Sequence, residues 1–185
     1  MFPPKREFGE KDKKFDRKKF VQILSISLTI GFAFAFILRA WVVFPFVPET
    51  EEMSPSFPKG KRIYVSRWVQ DSSLFLGDVV LAEHPTQKGK VMLVRIVGKS
   101  GDQISIQDKV LFRNGISERE EKLPFQLQSK DAREPLPNTH STRDNLSTVL
   151  IEDRKYFLLC DNRDDCLDSR DFGQLPFEKI LGKVL

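Results

Sequence analysis

Between Phe20 and Leu38 the chain runs for nineteen residues without a charge, FVQILSISLTIGFAFAFIL. A helix of that length rises about 28 Å at roughly 1.5 Å per residue, close to a hydrocarbon core of about 30 Å. Ser25, Ser27 and Thr29 are tolerable in such a helix, because hydroxyls can bond back to the preceding turn. No polar face interrupts the span, so a buried helix of a soluble fold does not fit it. Ala33-Phe34-Ala35 imitates the small-x-small site of a cleaved secretory signal. The apolar run continues past that triplet, however, and the basic region before it is long. Residues 20–38 are therefore read as an uncleaved transmembrane helix.

The charges beside the span set its direction. Residues 1–19 hold eight Lys/Arg and four Asp/Glu, which accounts for the whole net charge of +4. The remainder sums to zero, whereas a nucleic-acid binder carries its basic excess on the folded domain. No nucleic-acid partner is expected. Arg17, Lys18 and Lys19 precede the span directly and only Arg39 follows it closely. The positive-inside bias then puts a basic tail, residues 1–19, in the cytoplasm and residues 39–185 on the exported side of the cell (inner) membrane. The lipid bilayer is the first partner so implied.

Two cysteines lie in the exported part, where an oxidising compartment permits a disulfide. Cys160 ends an apolar strand and Cys166 sits in a charged loop, so two separate free thiols are expected. His84 and His140 are far apart and show no metal-site spacing. Neither a metal nor another cofactor is expected.

Past the membrane the texture is β. Arg39–Val47 is aromatic and β-branched, with Pro45 marking an edge or bend. Lys61–Trp68, Asp78–Ala82 and Lys90–Val97 follow as strands, the last closed by Gly98 and by Gly101-Asp102. Asp102–Gln107 and Lys109–Arg113 come next, with Asn114-Gly115 as a hairpin turn. Lys155–Cys160 reads as a buried strand and Lys179–Leu185 as a short closing one. Ser117–Ser147 is polar and broken by prolines, a surface insertion over 117–147. The expected fold is mainly β, one N-terminal transmembrane helix followed by a twisted antiparallel β domain.

Several short motifs occur in order along that domain. They are Met53-Ser54-Pro55-Ser56-Phe57, Gly60-Lys61-Arg62-Ile63-Tyr64-Val65, Gly77-Asp78-Val79-Val80 and Arg95-Ile96-Val97-Gly98-Lys99-Ser100-Gly101-Asp102. The last and densest are Asp161-Asn162-Arg163-Asp164 and Asp168-Ser169-Arg170-Asp171-Phe172-Gly173. Together, behind an N-terminal anchor, the set resembles the type I signal peptidases from Arg39 to the end. The resemblance implies a serine nucleophile with a lysine base, acting on the signal-peptide region of exported preproteins.

At those two positions this chain departs from the family. Counting back from Pro55, the serine position holds Glu52; counting forward from Pro48 gives Glu51. The lysine position, before Arg95, holds Val94, and the serine that supports the lysine is replaced by Cys166. Cys160 stands where the final motif opens with glycine. The resemblance further implies that residues 52 and 94 lie side by side in one cleft, with Met53 and Pro55 at the bound substrate. It also implies that Asp161, Asn162, Arg163, Asp168, Ser169 and Arg170 hold a loop beside the site. An extended segment would put Asp168 and Arg170 on the same side, ready to pair.

A lysine serves as base only when burial lowers its pKa, and valine accepts no proton. Ser54 is the fallback nucleophile. In a strand it would face the same way as Glu52 but lie about 6–7 Å along. Lys90 shares the parity of Val94 yet sits roughly 13 Å away. A Glu51/Glu52 carboxylate dyad meets the objection that adjacent strand residues face opposite ways. The leading expectation is thus a catalytically impaired paralogue that binds signal-peptide segments, alone or beside an active signal peptidase paralogue. The alternatives are an active peptidase using Ser54 with an unexpected base, and a tethered β domain with an unrelated ligand.

Overall fold

The computed structural model describes residues 17–119, 125, 127, 134–137, 139–164 and 166–185, in two compact units, Met1–Trp41 and Val42–Leu185. Residues 120–124, 126, 128–133 and 138 of the expected 117–147 insertion, and the basic tail before Arg17, lie outside the described residues.

The described residues of the first unit are helical. Helix α1 spans Arg17–Val42 and is long and apolar enough to cross a membrane. Its hydroxyls bond back as expected, Ser25 Oγ to Gln22 O at 2.9 Å, Ser27 Oγ to Ile23 O at 2.8 Å and Thr29 Oγ1 to Ser25 O at 2.8 Å. Its apolar side chains, Phe32 and Phe36 among them, are exposed. The strand expected from Arg39 starts later, because the helix takes in Arg39 to Val42. No breaker stands in that stretch; the first, Pro45, lies inside β1 (Val43–Phe46).

The second unit is built on two antiparallel sheets. The larger joins β1, β2 (Ile63–Ser66), β3 (Val79–Glu83), β4 (Val91–Lys99), β9 (Lys155–Leu159), β10 (Leu175–Pro176) and β11 (Ile180–Val184). Their order is β1-β2-β11-β3-β4-β9-β10. The smaller sheet joins β5 (Gln103–Gln107), β6 (Val110–Arg113), β7 (Ile116–Ser117) and β8 (Leu146–Leu150) in the order β7-β6-β5-β8. Asn114 and Gly115 make the expected two-residue turn, both at positive φ (53° and 82°), as a type I′ hairpin requires. Strand β8 was not anticipated: it begins inside the stretch read as an insertion. Its polar Ser147 and Thr148 are exposed, and its order comes from pairing with β5 rather than from an apolar pattern.

Two apolar clusters fill the domain. One gathers Met53, Val80, Val94, Leu158, Cys160 and Cys166 around β3, β4 and β9. The other packs Val97, Ile104, Ile151 and Phe157 beneath the smaller sheet. The expectation of free thiols is corrected here. Cys160 and Cys166 form a disulfide, with Cα atoms 6.5 Å apart. Both face the same core although one follows a strand and the other sits in a loop, because the charged loop folds back over the strand end.

Candidate functional site

The site is assembled where the segment after β1 leaves the sheet. Pro48 is buried, and its carbonyl accepts the Gly60 N–H at 2.9 Å, so the chain between them closes on itself. Inside that loop the Ser54 N–H donates to Glu51 O at 3.0 Å and the Phe57 N–H to Met53 O at 2.8 Å. Residues 51–57 are therefore turns, which corrects the strand assumed for them; Pro55 and Pro58 disfavour an extended ladder here. Alternation arguments about Glu51, Glu52 and Ser54 accordingly do not apply. Ser54 is half-buried in this turn.

Glu52 lines a cleft of about 460 Å³. Phe46, Pro48, Glu49 and Thr50 form one wall with it, and His84, Gln87 and Lys90 to Leu93 form the other. Leu167, from the charged loop, also lines the cleft. The cleft borders an unfilled place in the sheet. Residues 91–95 of β4 pair with β3, but on the other side β9 pairs only from Arg95 onward. Among the described residues, no strand pairs with 91–94 on that side. Ser54 is not among the lining residues, whereas Lys90 is.

Val94 is fully buried, opposite Val80, in the same apolar cluster as Met53. The fold thus brings the 52–53 segment and residue 94 to one core. Glu52 reaches the cleft, and the short valine stays in the core, off the cleft wall.

Within the charged motif Asp168 and Arg170 pair with each other, while Asp161, Asn162, Arg163 and Ser169 reach residues outside it. Asp161, fully buried, accepts from Arg95 Nε at 2.7 Å. Arg95 also donates to Gly77 O at 2.7 Å. Asn162 donates its N–H to Glu52 O at 2.9 Å and its side-chain amide to Glu51 O at 3.3 Å. Arg163 is buried against Glu118, Nη1 to Oε1 at 3.1 Å, and its Nη2 has no hydrogen-bond partner among the described residues. Burial holds the Arg163 guanidinium below its ordinary value, Arg170 pushes the same way, and Glu118 opposes both.

The segment after Cys166 is helical rather than extended. Asp168 caps α2 (Ser169–Phe172), accepting from the Arg170 N–H at 3.0 Å. Its carboxylate still takes Arg170 as a fork, Nε at 2.8 Å and Nη2 at 2.8 Å. Ser169 Oγ accepts the Leu158 N–H at 2.9 Å, tying α2 to β9. Arg143, which sequence reasoning missed, joins the group. It donates to Cys166 O at 2.8 Å, Arg163 O at 2.5 Å and Asp171 Oδ2 at 2.9 Å. No local pattern marks it, since its partners are about twenty or more positions away in a stretch read as surface.

Cys160, Cys166 and Asp168 gather ligand atoms within 4.8 Å of one another. The two sulfurs are bonded together and Asp168 is committed to Arg170. The chemistry of this trio is that of a staple beside an ion pair, since no thiolate is available to a metal.

A family model described as "Signal peptidase, peptidase S26" matches residues 20–185. Signal peptidase IB of Staphylococcus aureus is 29% identical over 164 residues, 86% of this chain and 84% of that protein. Signal peptidase I T of Bacillus subtilis (strain 168) is 28% identical over 158 residues, 84% of this chain and 79% of that protein. Among solved structures, a signal peptidase I from Enterococcus faecalis V583 aligns at a TM-score of 0.44 and 22% identity, covering 61% of this chain and 97% of that one.

Proposed function

The chain belongs to the signal peptidase family, peptidase S26, and from that premise we propose that it binds the signal-peptide segments of preproteins without cutting them. One observation carries the reading: β4 is left unpaired at 91–94 on one side, and its residues 91–93 line a cleft with Glu52; by the resemblance, residues 52 and 94 stand at the dyad positions. An extended peptide beside residues 91–94 would add a strand, and its affinity would come from backbone hydrogen bonds that need no nucleophile or base. A carboxylate at position 52 repels the negative charge that acyl transfer develops on a substrate carbonyl. Valine at 94 removes the proton acceptor outright.

The apolar helix α1 and the family together point to a membrane-anchored protein. We assign residues 1–19 to the cytoplasmic side and 39–185 to the exported side, from the Lys/Arg excess before the span. Protease added outside spheroplasts is then expected to digest the second unit, and full protection would overturn the assignment. An active paralogue working on the same preproteins is a natural companion for such a protein.

The test uses the purified full-length chain in detergent with a preprotein carrying a small-x-small site. Binding without cleavage supports the reading. Cleavage that disappears in Ser54→Ala would replace it with an active peptidase built on Ser54.

A further inference from the structure

The resemblance places glycine at 160 and serine at 166, and both are cysteine here, bonded to each other. Between them, Asp161 and Asn162 reach the turn that carries Glu52. Asn162 holds two successive carbonyls of the turn, Glu52 O through its N–H at 2.9 Å and Glu51 O through its amide at 3.3 Å. The Asp161 N–H points at Met53 Sδ at 3.4 Å, and Met53 is 1% exposed. Glu51, Glu52 and Met53 therefore all hang on two residues inside the bridged loop. The loop's far end is fixed separately, since Arg143 and Arg170 donate to Arg163 O at 2.5 and 2.7 Å.

We propose that the Cys160–Cys166 bridge is a positioning element, holding Asn162 against the Glu51–Met53 turn so that the cleft keeps its peptide-binding shape. This inference rests on the binding role proposed above. The physical ground is loop entropy. A covalent closure removes conformers in which Asn162 swings away, so its two hydrogen bonds are made without ordering the loop anew. Where an active relative uses residue 166 to orient a lysine, a chain without that lysine has the position free for a crosslink. Both cysteines are buried, 1% and 9% exposed, as suits a permanent staple. Closing it transfers two electrons and two protons from the thiols to an external disulfide oxidant, through a mixed disulfide.

The experiment compares full-length protein in detergent with Cys160→Gly/Cys166→Ser, which restores the family residues. Two readouts are taken: affinity for a signal-peptide segment by fluorescence anisotropy, and hydrogen exchange at the Asn162 amide. In the variant the affinity is expected to fall, and the Asn162 exchange rate to rise, by about tenfold, the scale of one or two hydrogen bonds lost. Asn162→Ala, with the bridge intact, is expected to lose a similar factor of affinity. Adding it to the cysteine variant is expected to cost little more, a non-additivity that a merely stabilising bridge does not produce. Unchanged affinity and unchanged exchange in the cysteine variant would overturn the proposal, as would full additivity. Should the cysteine variant fail to fold, Asn162→Ala decides alone, and undiminished affinity there sinks the idea. Failure of the natural protein to bind any peptide would instead overturn the binding role, and the Asn162 exchange would still test the positioning.

Discussion

Arg95 and Asp161 lie sixty-six positions apart and form an ion pair in which both side chains are almost wholly buried. Arg95 is the residue after Val94 and Asp161 the residue after Cys160, so the pair locks β4 to the start of the charged loop. Such a pair stabilises little against an apolar replacement, yet breaking it leaves a bare charge inside. Asp161→Asn is therefore expected to destabilise the domain by about 3–5 kcal/mol. Arg95→Met/Asp161→Leu is expected to destabilise by less than the single change, because neither charge remains. Urea unfolding followed by tryptophan fluorescence checks both, and a double variant as weak as Asp161→Asn would contradict the argument.

Tyr156 gives a prediction in alkali. Burial raises its phenol well above the ordinary tyrosine value of 10.0, and the hydrogen bond it donates to the Asp71 carboxylate adds to the rise. The folded state thus holds this proton more tightly than the unfolded one. The stabilising effect is fully present below about pH 10 and declines as the unfolded phenol ionises above it. Thermal melts from about pH 8 to 11.5 should fall more steeply for the natural protein than for Tyr156→Phe. Parallel curves would show that the phenol does not carry the alkaline loss.

Which of these relationships the sequence shows follows from how local their causes are. The apolar span, the Asn114-Gly115 turn and the runs that became β4 and β9 are written in neighbouring residues. The Asp168–Arg170 fork was anticipated too, since residues two apart meet in an extended segment and still meet in the capped turn of α2. The pairing of Cys160 with Cys166 was not legible, because it depends on a loop folding back over the end of β9. Nor was the 51–57 turn, where alternation had been assumed and the Pro48–Gly60 closure sets the path instead. Arg143 is the extreme case, a loop residue whose role exists only through carbonyls and a carboxylate about twenty to twenty-eight positions away.

Gly182, in β11 against β2, tests the packing of the larger sheet. A Cβ there would lie 2.5 Å from Val65 Cγ1 and 2.7 Å from the Ser66 backbone oxygen. The second contact is with main chain in a paired strand and has little room to give. Gly182→Ala is expected to lower stability by about 1–3 kcal/mol through overpacking. Gly98→Ala meets side-chain atoms of Ile151 and Ile104 within 3.0 Å rather than main chain, and is expected to lower it less. Equal losses in thermal melts would show that the main-chain contact is not the stiffer one.

Rebuilding the dyad is the sharpest test of the site. Val94 is fully buried in the cluster that holds Met53, so a lysine replacing it would start from a dry environment. Desolvation lowers a lysine's pKa, and a lysine is longer than valine, which gives its amine the reach to approach residue 52. Glu52→Ser supplies a hydroxyl on the cleft side, and Cys166→Ser with Cys160→Gly restores the hydroxyl that the resemblance places beside the lysine. Glu52→Ser alone and Val94→Lys alone are expected to be inactive, because a nucleophile without its base lacks assistance worth roughly 10²–10⁴-fold. The combined variant is expected to release the signal peptide at the small-x-small site, read by mass spectrometry of both products. A folded combined variant that binds the preprotein without cutting it would show that residues 52 and 94 do not meet at catalytic distance.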